Sequence, residues 1–251
     1  MRILVLSDIH SNLEALEACL AAAPRHDRTV NLGDIVGYGA SPNEVSRAAR
    51  ELGGTFVRGN HDKVVAGIDS AENFNPIAGI AATWNREQLT ADNLDWLRTL
   101  PKGPVGAAEF GDVQLVHGAP DDEDRYLVTL EDAAQQLTQT PVGITFFGHT
   151  HVQGAFAFQQ DAVTDVIPAY ASVGKPETWD FHLQAGARYL INPGSVGQPR
   201  DGDWRAGFAV FDSDERVVTF CRAPYNLRLA QQKIFDASLP VKLATRLAAG
   251  R

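Results

Sequence analysis

Three features of the chain predict an α/β fold. Short apolar, β-rich runs alternate with capped helix-forming stretches over the first 100 residues. Beyond residue 104 such runs dominate, with one helical stretch among them. The chain has 251 residues, 44% of them hydrophobic, which suffices for a large core in one large domain or two small ones. No repeat, linker or low-complexity tract divides it, so a single domain over residues 1–251 is the simpler count.

The elements follow in order. "RILVL" (Arg2 to Leu6) is an apolar run of the kind buried on both faces of a sheet. Ser11 and Glu14 form an S-x-x-E box that opens a helix from about Asn12 to Ala22. "RTVNL" is a second strand, and Ser41, with Pro42 behind it and Glu44 following, caps a second helix. "TFVRG" is a third strand. Pro76 to Leu100 reads as two helices, the second capped by Thr90 and stopped by Pro101. Strands are then expected at "PVGAAEF", "DVQLVHG", "GITFFGH", "AFAFQ", "RYLINPG", "AGFAVFD" and "RVVTFCR", with one helix near Leu130 to Leu137. Asp161 to Gly186 shows no clear period. A helical tail is expected from about residue 227, covering its own sheet or a neighbour's.

Composition narrows the function classes. The net charge is −9 and no Lys/Arg cluster stands out, so stable nucleic-acid binding is not expected. Cys19 and Cys221 match no metal spacing and read as two buried thiols. No run approaches the roughly 18 apolar residues of a membrane span. The apolar start, Ile3 to Leu6, meets an aspartate too soon for a signal peptide. A soluble, cytoplasmic protein is expected.

Five strand-end segments carry metal-type side chains. They are "SDIH" (Asp8, His10), "GD" (Asp34), "GNHD" (Asn60, His61, Asp62), "VHG" (His117) and "GHTH" (His149, His151). Side chains at the carboxyl ends of neighbouring strands converge in one crevice, where α/β sheets hold ligands. These segments contain five of the seven histidines; His26 and His182 lie elsewhere. The mixture of carboxylate, amide oxygen and imidazole suits Mn, Fe, Co, Ni or Zn, and argues against calcium or a thiolate-bound zinc. One central carboxylate could bridge two ions about 3.5–4 Å apart, as in two-metal phosphoester hydrolysis.

Taken in order, the five segments resemble the calcineurin-like metallophosphoesterase superfamily, over about Arg2 to Asp212. "INPGSVGQPRDGD" (Ile191 to Asp203) is similar to bacterial members described as predicted phosphodiesterases or diadenosine-tetraphosphatase-like proteins. The resemblance implies a four-layer αββα sandwich of two mixed β-sheets flanked by helices. It implies that Asp8, His10 and His151 hold one divalent transition ion, manganese first, and that Asn60, His117 and His149 hold the other, with Asp34 between them. A water or hydroxide between the ions would be the nucleophile. His61 would protonate the leaving oxygen or stabilise the phosphoryl charge. Asp62 either orients the His61 ring or is a turn residue.

Two departures bear on substrate, one of them "GNHD" (Gly59 to Asp62) where the protein-phosphatase branch has "GNHE". Where the protein-phosphatase branch has Asp-Arg-Gly, "GDIVGYG" has Gly37 and Tyr38, so that branch's phosphate-gripping arginine is missing. Tyr38 either stacks on a base or aryl leaving group or packs in its loop. Arg200, on a glycine-rich loop, is a candidate phosphate contact. The pocket wall is expected to include the stretch 161–186. The reading is a metal-dependent phosphodiesterase acting on small nucleotide-like substrates. The alternatives are a phosphomonoesterase, including protein phosphatase, and a non-catalytic binding scaffold. A homo-oligomer is left open.

Overall fold

A computed structural model of the chain describes residues 1–172 and 174–251. Val173, within the stretch read as irregular, lies outside the described residues. The strands are β1 (Arg2–Leu6), β2 (Arg28–Asn31), β3 (Thr55–Phe56), β4 (Val105–Gly106), β5 (Val113–Leu115), β6 (Ile144–Phe146), β7 (Gly154–Gln159), β8 (Ala162–Val166), β9 (Glu177–His182), β10 (Arg188–Asn192), β11 (Ala206–Asp212) and β12 (Val217–Ala223). The helices are α1 (Leu13–Ala22), α2 (Pro42–Leu52), α3 (Asn60–Val65), α4 (Pro76–Gln88), α5 (Ala91–Thr99), α6 (Leu130–Gln139), α7 (Leu227–Asp236) and α8 (Val241–Ala249). None is long and apolar enough to cross a membrane.

Among the described residues the strands form two six-stranded sheets, ordered β3-β2-β1-β11-β12-β9 and β4-β5-β6-β10-β7-β8. Both are mixed: β1, β2 and β3 run parallel, as do β5, β6 and β10, and the remaining pairings are antiparallel. Strand alternation makes the layers. In β1, Ile3 and Val5 point into the core between the sheets, with Phe146, Ile191, Phe211 and Phe220. Leu4 and Leu6 point the other way, into a core shared with α1, α2, α7 and α8 through Leu16, Val45, Ile234 and Leu243. Against the outer face of the second sheet, α6 packs Ala133 and Leu137 on Phe147 and Leu190. The result is the four-layer αββα sandwich. The C-terminal helices cover their own sheet.

Local chemistry moves several expected boundaries. Helix α1 is capped by Asn12, whose side chain accepts from Ala15 N at 3.2 Å. Ser11 is in the left-handed backbone region (φ 53°) and its hydroxyl donates to Asn85 Oδ1 at 2.6 Å instead. Ser41 makes no capping bond from its side chain. "PVGAAEF" is only a two-residue strand followed by a 3-10 turn at Ala108–Phe110, which drops Phe110 into the inter-sheet core. The stretch read as irregular contains β8 and β9. Strand β9 is a sheet edge with Trp179 and Phe181 packed inward and Thr178, Asp180 and His182 exposed. Its short polar alternation concealed it.

One buried ion network fixes the loop between β10 and β11. Arg205 is fully buried and donates to the Asp203 carboxylate at 2.6–3.0 Å, to Glu177 at 2.8 Å and to the Lys175 carbonyl at 2.7 Å. Arg222 pairs with Asp201. Asp201 and Asp203 thus hold the base of the loop on which Arg200 stands. Burial would raise the Asp203 carboxyl, but the bonds from Arg205 hold it below its ordinary value. Replacing Arg205 by alanine strands two carboxylates and should cost about 3–5 kcal/mol of stability at pH 7. Urea denaturation of wild type and Arg205→Ala checks this. The gap should narrow as pH falls below about 4, where Asp203 and Glu177 take up protons and the network is lost.

Candidate metal centre

The parallel strands of both sheets deliver their carboxyl ends to one crevice. Asp8 and His10 follow β1, Asp34 follows β2, and Asn60 opens α3 after β3. From the other sheet, His117 follows β5, and His149 and His151 follow β6. Ligand-type atoms of Asp8, His10, Asp34 and His151 lie within 4.8 Å of one another, as do those of Asp34, His117 and His149. Asp34 belongs to both groups. Its Oδ2 lies 3.5 Å from His10 Nε2 and 3.4 Å from His117 Nε2. Asn60 Oδ1 adds an oxygen 3.1 Å from His117 Nε2. All seven expected ligand residues are therefore brought together.

Each of the four imidazoles has one ring nitrogen on a backbone carbonyl. His10 Nδ1 donates to Val36 O (3.1 Å), His117 Nδ1 to Leu32 O (2.7 Å), His151 Nδ1 to Gln198 O (2.6 Å) and His149 Nε2 to Asp124 O (3.1 Å). A carbonyl accepts only from N–H, so each bond fixes the ring and turns the other nitrogen toward the crevice. This is how metal-ligating histidines are supported. Burial holds His10 and His151 well below the ordinary imidazole value, so both are neutral. Their Nε2 lone pairs nevertheless face each other at 3.1 Å, with Asp8 Oδ1 3.3 Å from His151 Nε2. Lone pairs and carboxylates so converged fit a divalent transition ion.

In the second group, charge couples Asp34 to His117. Burial would lower His117, but the adjacent Asp34 carboxylate raises it to about 10. Asp34 in turn, despite its burial, is held well below the usual carboxylate range by His117. A cation competes with the proton on His117. Burial raises Asp8 to about 7 and lowers His149 to about 3. Asp8, His10, Asp34, His149 and His151 all have φ between 48° and 65°. Such left-handed residues cost of order 1–3 kcal/mol each and cluster at functional sites.

His61 lines a cavity of about 330 Å³ beside the cluster, with Asn60, Lys63, Phe74, Asp124, Tyr126 and His149 among its walls. No residue from 161–186 lines this cavity, whose wall includes Asp69, Ser70, Asn73, Phe74, Asn75, Asp124 and Tyr126; Asp165, Val166 and Ile167 line a neighbouring cavity of about 370 Å³ that shares Tyr126. Burial lowers His61 to about 4. Among the described residues its Nδ1 is buried without a partner. Gly37, at φ 95°, leaves room for that ring; a Cβ there would strike it. Asp62 does not orient the ring. Its carboxylate accepts from Ile35 N (2.9 Å), Val36 N (3.2 Å) and Gly59 N (3.0 Å), tying the Asp34 loop to the start of α3.

Tyr38 is only 7% exposed, with its ring centroid 4.6 Å from that of His10 and 4.3 Å from that of His61. It has little surface left for stacking a base. Its hydroxyl accepts from Arg200 Nη2 at 3.4 Å, and Gln198 Oε1 takes a second bond from that guanidinium at 3.1 Å. Arg200 Nε is buried without a partner among the described residues.

Several residues of the site escaped sequence reading. Tyr126 is half exposed and stacks on His149 at 3.8 Å. Phe74 meets His61 at 4.5 Å. Buried Asn85 binds Ser11, Gly37 N and Gly39 O, holding the turn behind Tyr38. Lys63 bonds Glu123 and Asp124, fixing the loop whose carbonyl supports His149. These residues come from helices and loops without motif spacing; only a tyrosine two residues from an acidic run hinted at the loop.

Known proteins resemble the chain over its whole length. A metallophosphoesterase from Sphaerobacter thermophilus, solved by crystallography, is 39% identical, covers 100% of this chain and 99% of its own, and superposes with a TM-score of 0.82. A hypothetical protein from Pyrococcus horikoshii shares the fold at 18% identity and a TM-score of 0.78, over 100% of this chain and 98% of its own. An uncharacterized protein of Methanocaldococcus jannaschii is 34% identical over 251 residues, 99% of this chain and 98% of its own. The family model for the calcineurin-like phosphoesterase superfamily domain matches residues 1–216. The chain belongs to the calcineurin-like phosphoesterase superfamily.

Proposed function

We propose that the chain is a metal-dependent phosphodiesterase acting on small nucleotide-like substrates in the cytoplasm. One observation carries the metal-dependent part: four histidines, each pinned by a carbonyl, turn their free nitrogens onto shared carboxylates. Asp8, His10 and His151 would hold one ion and Asn60, His117 and His149 the other, with Asp34 shared. Two divalent ions, manganese first, would supply Lewis acidity and a water made nucleophilic near neutral pH.

The chain's own residues do the rest. Arg200 binds a non-bridging phosphoryl oxygen, the geometry a guanidinium suits, and Tyr38 and Gln198 aim it. His61 meets the leaving oxygen and supplies it a proton or a hydrogen bond. Tyr126 offers a half-exposed ring to the group beyond that oxygen. The diester preference rests on charge. A monoester carries a second negative charge, and among the described residues the cation on this cavity wall, Lys63, is already shared by Asp69, Glu123 and Asp124. The free thiols Cys19 and Cys221, buried in one core, suit a reducing compartment.

Chelated protein should be inactive and regain activity with Mn²⁺, turning over bis-p-nitrophenyl phosphate faster than p-nitrophenyl phosphate. The reverse preference would make it a phosphomonoesterase. His61→Ala should lower kcat by about 100-fold or more with metal content unchanged. Arg200→Ala should raise KM about tenfold or more, as expected for loss of a charge-assisted hydrogen bond. Steady-state kinetics on metal-quantified protein checks both.

A further inference from the structure

The C-terminal helix α8, beyond the 1–216 family match, brings a second guanidinium to the crevice. Arg246 Cζ lies 5.9 Å from the Tyr38 ring centroid, and Arg200 Cζ lies 5.7 Å from the same centroid. Tyr38 in turn lies 4.6 Å from His10, so a single ring separates Arg246 from the candidate metal ligands. Among the described residues no Asp or Glu side chain lies within ion-pair distance of either arginine. Arg246 is half-buried, and its Nε donates to an oxygen of Arg251, the last residue, at 2.5 Å, which leaves its two Nη groups for another acceptor. Burial, and then the charge of Arg200, lower its pKa. Two half-buried like charges across one ring repel each other, and an anion bound between them relieves that cost.

The surroundings say how far that anion is from the reacting bond. Arg246 and Lys242, one turn apart on the same helix face, line a cleft of about 530 Å³ with Asn75, Pro76 and Ile77. Asn75 also lines the cavity that holds His61 and Tyr126, so the two clefts adjoin. We infer that Arg246 and Lys242 form a second anion subsite for a phosphate group remote from the scissile diester. The inference rests on the phosphodiesterase reading and narrows it to nucleotide-like diesters bearing an additional phosphate. Arg200 serves the reacting phosphoryl group, and the α8 pair serves the distal one. A guanidinium and an ammonium on one face match the several oxygens of a terminal phosphate.

Two measurements test this. The first uses a pair of diesters, the p-nitrophenyl ester of thymidine 5′-phosphate and the same ester carrying a 3′-phosphate. Wild type should show the lower KM for the 3′-phosphorylated ester. Arg246→Ala should raise that KM about tenfold more than it raises the KM of the plain ester. Lys242→Ala, at an exposed position, should act in the same direction and serves if the arginine variant fails to fold. The second is calorimetric binding of inorganic tripolyphosphate to chelated protein, without turnover. Binding by wild type that is weakened about tenfold in either variant supports the subsite. Equal binding and equal KM ratios in wild type and variants would overturn it. Tripolyphosphate binding lost in the variants, with neither ester hydrolysed, would retain the subsite and reject the hydrolase reading.

Discussion

The buried carboxylate of Asp34 is the constraint on which the rest of the centre depends. One oxygen accepts from the His61 backbone N–H at 2.8 Å. The other lies within 3.5 Å of His10 on one side and His117 on the other. An uncompensated charge in that position would cost several kcal/mol. Cationic or polar partners must therefore arrive from both sheets at once. Gly59 lacks a side chain where a Cβ would overlap that carboxylate, and the Asp62 carboxylate ties the Asp34 loop to the start of α3. A residue that reads as catalytic in the motif is, in the fold, the strut that positions the catalytic loop.

The sandwich exists to make that meeting possible. Inward-facing residues such as Val5, Leu32, Leu115 and Phe146 set the two sheets at packing distance. With the sheets so fixed, the parallel strands of both open toward one edge. The left-handed backbone of five candidate ligands is stored strain, which the surrounding hydrogen bonds must over-determine. They do so visibly: Asp8 N bonds Gly33 O, His10 N bonds Asp34 O, and Gly197 N bonds Asp8 O, each at 2.9–3.0 Å.

Much of this was legible in the sequence. The seven candidate ligand positions, which the fold brings together, were readable because strand-end D-x-H, G-D, G-N-H and H-x-H carry their chemistry in local spacing. The central strands were readable because they are apolar on both faces. What failed were features decided at a distance. Strands β8 and β9 are edges whose identity comes from pairing partners. Ser11 lost its cap because Asn85, 74 residues away, takes its hydroxyl. For Tyr38 the sequence left two readings open, stacking on substrate or packing in its loop; three-dimensional packing covers its ring and gives Tyr126 the exposed position. Arg246 had no signal at all, since nothing in an amphipathic tail announces that one turn of it reaches a crevice built by the first 200 residues.

The chemistry proposed for this crevice requires the seven side chains to hold two ions about a shared Asp34. Anomalous diffraction from crystals soaked in Mn²⁺ measures this directly. Two peaks are predicted, one among Asp8, His10 and His151, the other among Asn60, His117 and His149, with Asp34 coordinating both. A single peak, or none with all seven side chains ordered, would contradict it.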